Sequence, residues 1–173
     1  MEARYFVSQS NWSGALSSSQ PDELHEEVVM SDGKKQVPVK EGLWTIPSFP
    51  NEKPQLIGSR CLACGEVFFP RRESEICTNC QSRNLEEIRL SRTGKVYSFT
   101  VVMQRPPEYY KGPVPYAEGF VELPDGVRVE TLFTDCDFND LKVGMNVEMV
   151  IEGLHEDEHG NEIVAYKFRP VIH

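Results

Sequence analysis

The sequence predicts a mainly β protein: a four-cysteine metal ribbon followed by a small five-stranded barrel, with an extended, partly helical N-terminal arm in front. Three observations carry this expectation. Two Cys-x-x-Cys pairs stand twelve residues apart, a series of alternating strands begins at residue 94, and prolines crowd the approach to the first cysteine pair. The segments are read as 1–55 for the arm, 56–93 for the ribbon and 94–173 for the barrel.

Within the arm, residues 8–20 are rich in Ser, Gln and Asn without periodicity and read as loose chain. Residues 21–30 (PDELHEEVVM) place Pro and acids where the first turn of a short helix accepts them. The prolines at 47, 50 and 54 forbid a helix and favour an extended path. Such a path cannot bury Trp44, Ile46, Phe49 and Leu56 by itself, so these side chains are expected to lie across the rest of the chain or across a partner. Trp44, Phe49 and Pro47 are the candidate partner contacts, because aromatics on a Pro-stiffened strand lose little entropy on docking.

The ribbon holds Cys61, Cys64, Cys77 and Cys80. A Cys-x-x-Cys turn aims two thiolates at one point about 2.3 Å away, the Zn–S distance, and two such turns complete a tetrahedral shell. Gly65 follows the first pair, where the turn needs a residue tolerant of positive φ. A closed four-thiolate site has no open position for water and holds structure rather than catalysing. Redox dithiols or disulfides are the alternatives, but no thioredoxin-like pattern accompanies the pairs. Zinc is the expected metal, with iron the minority alternative.

The barrel is read from GKVYSFTVVMQ (94–104), YAEGFVEL (116–123), VRVETLF (127–133), MNVEMVIEGL (145–154) and EIVAYKFRPV (162–171). Strict alternation in the first strand puts Tyr97, Phe99, Val101 and Met103 on one face, with Tyr97 and Phe99 in the core. Five strands with one long loop after the first fit a Greek-key barrel better than a sandwich.

Charge narrows the function. The net −9 divides into −2 for residues 1–60, +1 for 61–95 and −8 for 96–173. An acidic barrel argues against nucleic acid, whose affinity rests on cations meeting phosphates. No apolar run approaches the ~20 residues of a membrane span, the first twenty residues lack a signal-peptide pattern, and cytoplasm is the expected location. Cys136 lies between Asp135 and Asp137, which weakens it as a nucleophile. The four histidines are too scattered for a second metal site, and no phosphate loop, nucleophile elbow or catalytic dyad is visible.

CLACG (61–65), FPR (69–71), CTNC (77–80), GKVYSFTVV (94–102), PYAEGFVEL (115–123) and LKVGMNVEM (141–149) occur in an order that is distinctive as a set. From about Leu56 to Val171 the chain resembles the rubredoxin-like zinc-ribbon/OB-fold family once labelled a domain of unknown function. The resemblance implies that the barrel is an OB-fold. It also implies an accessory role without catalytic residues, beside a thiolase-fold enzyme in carbon–carbon cleavage of a β-oxo or β-hydroxy acyl-CoA, in aromatic-acid or steroid degradation. Family members usually open with a helical hairpin, which the three prolines alter here. The lead-in EGLWTIPSFPNEKPQLIGSRC is similar to subunits tied to aromatic-acid degradation, with benzoylsuccinyl-CoA thiolase as the specific candidate.

A CoA site wants cations for its phosphates and an aromatic wall for adenine. Arg71 and Arg72 in the ribbon, and Tyr109, Tyr110 and Lys111 in the long loop, are the candidate contacts; solvated surface charge is the competing reading. A single-strand nucleic-acid module and a rubredoxin-like electron carrier are the alternative functions.

Overall fold

The computed structural model describes residues 34–105 and 111–171, and all regular structure within them is β strand. The loose arm (8–20), the short helix (21–30) and the loop tyrosines Tyr109 and Tyr110 lie outside the described residues. The strands are β1 (Gln36–Pro38), β2 (Ile57–Cys61), β3 (Val67–Phe68), β4 (Leu85–Arg89), β5 (Thr93–Val102), β6 (Tyr116–Glu122), β7 (Arg128–Phe133), β8 (Asn146–Glu156) and β9 (Glu162–Pro170). No helix among them is long and apolar enough to cross a membrane.

Strands β5 to β9 close the expected five-stranded barrel. Antiparallel ladders run β8–β5–β6–β7, β7 meets β9 in parallel at Leu132 and Phe133, and β9 returns antiparallel to β8. Period-2 alternation turns Ala117 and Val121 of β6, Val129 of β7, Val147 and Met149 of β8 and Phe168 of β9 inward, where all are buried. The Pro-Asp-Gly turn between β6 and β7 closes through Gly126 at φ +87°, whose N–H donates to the Leu123 carbonyl at 3.0 Å.

β5 departs from the expected alternation. A bulge between Val96 and Ser98 inserts one residue into the ladder with β6 and reverses the facing of the strand. Val96 is buried, Phe99 and Val101 pack on the core, and Tyr97 is turned out to solvent. Tyr97 is therefore not a core residue. Just past the bulge β5 and β6 press so close that a methyl on Gly119 would sit 2.1 Å from the Ser98 carbonyl oxygen, so the position demands glycine.

The ribbon sheet has the order β3–β2–β4, all antiparallel. Its base is fused to the barrel: Leu56 and Leu90, on either side of its strands, are fully buried in the same apolar cluster as Val96, Met149 and Phe168. The Leu90 N–H donates to the Leu56 carbonyl at 2.8 Å, and the Arg92 guanidinium reaches the Pro54 carbonyl at 2.9 Å and the Met149 carbonyl at 2.7 Å.

The described part of the arm, residues 34–55, packs on the barrel. β1 pairs in parallel with the start of β9, along the stretch of that edge which β7 does not reach. Leu43 is buried, and Trp44 bridges to Leu56 and meets the Tyr166 ring edge-on at 6.2 Å. Phe69 of the ribbon packs on the same tyrosine at 5.6 Å. Trp44 thus covers its own barrel, whereas Phe49, in the Pro-rich loop, is 73% exposed.

Because one core serves both modules, Leu90→Ala and Leu56→Ala should each cost about 2–5 kcal/mol. In urea melts followed by Trp fluorescence and by far-UV circular dichroism, the two signals should shift together. A ribbon that melts separately from an unshifted barrel would contradict a shared core.

Candidate metal centre and adjoining surfaces

Two turns of nearly identical build carry the four cysteines. Cys61 ends β2; its carbonyl accepts from the Gly65 N–H at 2.8 Å and its N–H donates to the Glu66 carbonyl at 2.8 Å. Cys77 repeats the pattern, accepting from the Gln81 N–H and donating to the Ser82 carbonyl, both at 2.8 Å. The residue after each pair is left-handed: Gly65 at φ +79° and Gln81 at φ +61°. The glycine expected at the first turn has a glutamine counterpart at the second, which sequence reading passed over because a non-glycine there carries no signal.

The four sulfur atoms lie within 4.8 Å of one another, with Cys61 Sγ 3.6 Å from Cys80 Sγ and Cys64 Sγ 3.7 Å from Cys77 Sγ. A tetrahedron with ligands about 2.3 Å from its centre has edges of about 3.8 Å, whereas a disulfide needs about 2.05 Å. The spacing is that of a metal cage, and all five cysteines are free thiols. Cys61 and Cys77 are buried, Cys64 and Cys80 exposed.

Electrostatics within the cage favours a cation. Desolvation pushes the Cys61 thiol up, but the backbone N–H groups of Cys64 and Ala63 outweigh it and hold the group at about 6. The Ser82 N–H would lower Cys80, yet the neighbouring Cys64 sulfur and desolvation push it up to about 12. Four adjacent sulfurs cannot all ionise unless positive charge is placed among them. A divalent ion supplies that charge, and soft thiolates in a tetrahedron suit zinc or iron.

The arginine candidates line a groove of about 340 Å³ on the ribbon, shared with Ser59, Ser74, Arg83 and three glutamates. Arg71 is paired with Glu87, and the Arg72 guanidinium lies 5.3 Å from the centre of the Phe68 ring with Nη2 donating to Ser74 Oγ at 3.3 Å. Arg83 lines the groove with no ion-pair partner among the described residues. Lys111 is exposed on the loop after β5. Cys136 is half-buried against the core, and burial first, then Asp135 and Asp137, push its thiol up. That leaves it protonated at neutral pH, a packing residue.

A family profile described as the rubredoxin-like zinc ribbon domain of ChsH2 matches residues 52–86, and one described as the C-terminal OB-fold domain of ChsH2 matches residues 87–152. A "DUF35 domain-containing scaffold protein" of Pyrococcus furiosus is 44% identical over 124 residues, covering 70% of this chain and 87% of the relative. The chain belongs to the DUF35 family. Another relative, the benzoylsuccinyl-CoA thiolase subunit BbsA of Geobacter metallireducens, is 32% identical over 122 residues, covering 68% of this chain and 76% of that one. A solved DUF35 structure, the Ltp2-ChsH2(DUF35) aldolase, superposes with a TM-score of 0.55 at 28% identity, covering 68% of this chain and 86% of that chain.

The left-handed backbone of the two turns makes a prediction independent of the metal's identity. Gly65→Val should cost about 1–2 kcal/mol, Gln81→Val less because Gln81 already bears a Cβ in that conformation, and Gln81→Gly should be neutral or stabilising, as read by denaturant titration.

Proposed function

We propose that the chain is a non-catalytic zinc-ribbon/OB-fold subunit that binds a thiolase-type enzyme and helps it engage an acyl-CoA during carbon–carbon cleavage of a β-oxo or β-hydroxy acyl-CoA. The observation that carries the reading is family membership on both modules, together with relatives named as a scaffold, a thiolase subunit and part of an aldolase. The higher identity to the scaffold protein than to BbsA weights the reading towards assembly, with the benzoylsuccinyl-CoA assignment as its most specific form.

In this reading Cys61, Cys64, Cys77 and Cys80 hold one zinc ion, which joins the two turns and keeps the groove beside them in shape. Arg71 and Arg72 in the ribbon groove, or Lys111 with Tyr109 and Tyr110 on the long loop, receive the nucleotide end of the CoA. Arg72 is already oriented by Phe68 and Ser74, and Arg71 exchanges its Glu87 partner for phosphate. Phe49 with Pro47 docks on the enzyme subunit, and Trp44 fixes the base of their loop against Tyr166. The segments 1–55, 56–93 and 94–173 then divide the work into docking, metal-supported groove and barrel.

Co-expression of the full chain with a thiolase-type subunit, purified by a tag on this chain, should yield a complex that turns over acyl-CoA where the separate chains do not. The eluate should hold about one zinc per chain, and Cys61→Ser should remove it; iron and a coloured protein would point to an electron carrier. The Arg71→Ala/Arg72→Ala double variant should raise the acyl-CoA KM of the complex with kcat little changed. An unchanged KM would take both arginines out of the site. Phe49→Ser should weaken co-purification without lowering Tm.

A further inference from the structure

The outer face of the β5–β6–β7 sheet carries a feature that neither the metal cage nor the ribbon groove uses. Phe120 sits at the middle of β6 with its ring in solvent, 41% exposed. On the same face of its own strand stand Glu118 and Glu122, and Glu130 of β7 is its direct cross-strand neighbour. The bulge in β5 pushes Tyr97 out beside it, 44% exposed, and the Arg128 guanidinium lies 3.6 Å from the centre of that ring while donating to Glu122. Val143, 65% exposed, borders the bulge through the loop whose Gly144 N–H donates to the Val96 carbonyl.

Three facts about this face point the same way. An exposed Phe at the centre of a sheet leaves apolar area in water that folding does not recover, and here it adjoins an exposed Tyr capped by Arg. Tyr and Arg are the residue types that dominate interface energetics. The carboxylates are not spent internally: Glu122 is bridged by Arg128, but neither Glu118 nor Glu130 has a cation within ion-pair distance among the described residues. From Tyr116 to Phe133 the hairpin carries four acids and one base, inside a barrel that is itself strongly acidic.

We propose that this face is a second docking surface, distinct from the Phe49 loop, and that it receives a protein surface with an apolar centre rimmed by Lys and Arg. The inference rests on the accessory-subunit reading and deepens it by naming the enzyme's complementary surface. Phe120 and Tyr97 enter the apolar centre, while Glu118 and Glu130 pair with the basic rim. A nucleic acid or an anionic membrane is repelled by the same carboxylates. A positive rim also accelerates encounter with so acidic a barrel, so association should weaken as salt shortens the screening length.

The test measures the affinity of the full chain for a co-purifying thiolase-type subunit between low and high salt. The wild-type chain should bind with an affinity that falls as salt rises. Phe120→Ser should lower affinity at every salt concentration by about tenfold. Glu118→Gln with Glu130→Gln should flatten the salt dependence. Both substitutions are on the surface, and unchanged Tm and metal content will show that the fold is intact. If the wild-type chain binds and both variants bind equally well with the same salt slope, this surface is not the docking face and the accessory reading survives. If the wild-type chain binds no thiolase-type subunit at all, both fall together.

Discussion

The contact on which the rest of the molecule depends is the one between Leu56 and Leu90 beneath the ribbon. Each lies one step outside a ribbon strand, and each is fully buried in the barrel core rather than in a core of the ribbon's own. A ribbon with two- and five-residue strands has little apolar area to bury by itself, and domains of that size ordinarily need a metal or a neighbour. This one has both. The cage ties its tip and the barrel holds its base, with Arg92 spanning from the Pro54 carbonyl to the Met149 carbonyl across the join.

The two attachments differ in kind. At the base the stabilisation is apolar burial, insensitive to pH and metal supply. At the tip it depends on four sulfurs being ionised together, which the protein alone arranges only partly: it favours ionisation at Cys61 and opposes it at Cys80. Loss of the cation therefore loosens the two turns and the Arg71–Arg72 groove beside them, while Leu56 and Leu90 stay anchored. The base of the ribbon is thus part of the barrel's own core, and only its tip depends on the metal.

Most of this architecture was legible in the sequence because its signals are local. The cysteine spacing specifies the two turns, Gly65 marks the φ of the first, and alternation after residue 115 places the barrel strands. What was not legible depends on contacts between distant segments. The bulge at Tyr97 leaves no trace in a run that alternates well, and only pairing with β6 reveals that one residue is extra. β1 leaves no signal in the sequence because three residues carry no periodicity; it forms a strand only where β7 leaves the edge of β9 free. Trp44 could be assigned to a partner or to the barrel on equal terms until Tyr166 and Leu56 were seen beneath it.

On the proposed reading, a subunit that assembles others needs surfaces held at fixed spacing more than it needs reactive groups. Its described side chains follow that logic: no buried polar side-chain atom among them lacks a partner, and Cys136 is held protonated. The exposed aromatics are instead distributed over separate supports. Phe49 rides on a loop stiffened by prolines and fastened at its base through Thr45 and Gln55, whereas Phe120 stands on the barrel wall. Because arm, ribbon and barrel share one core and the Trp44–Tyr166–Phe69 ring stack, neither support can shift without disturbing buried contacts. Preorganisation of this kind would reduce the entropy lost on docking at either proposed surface, because both are held in a constant geometry.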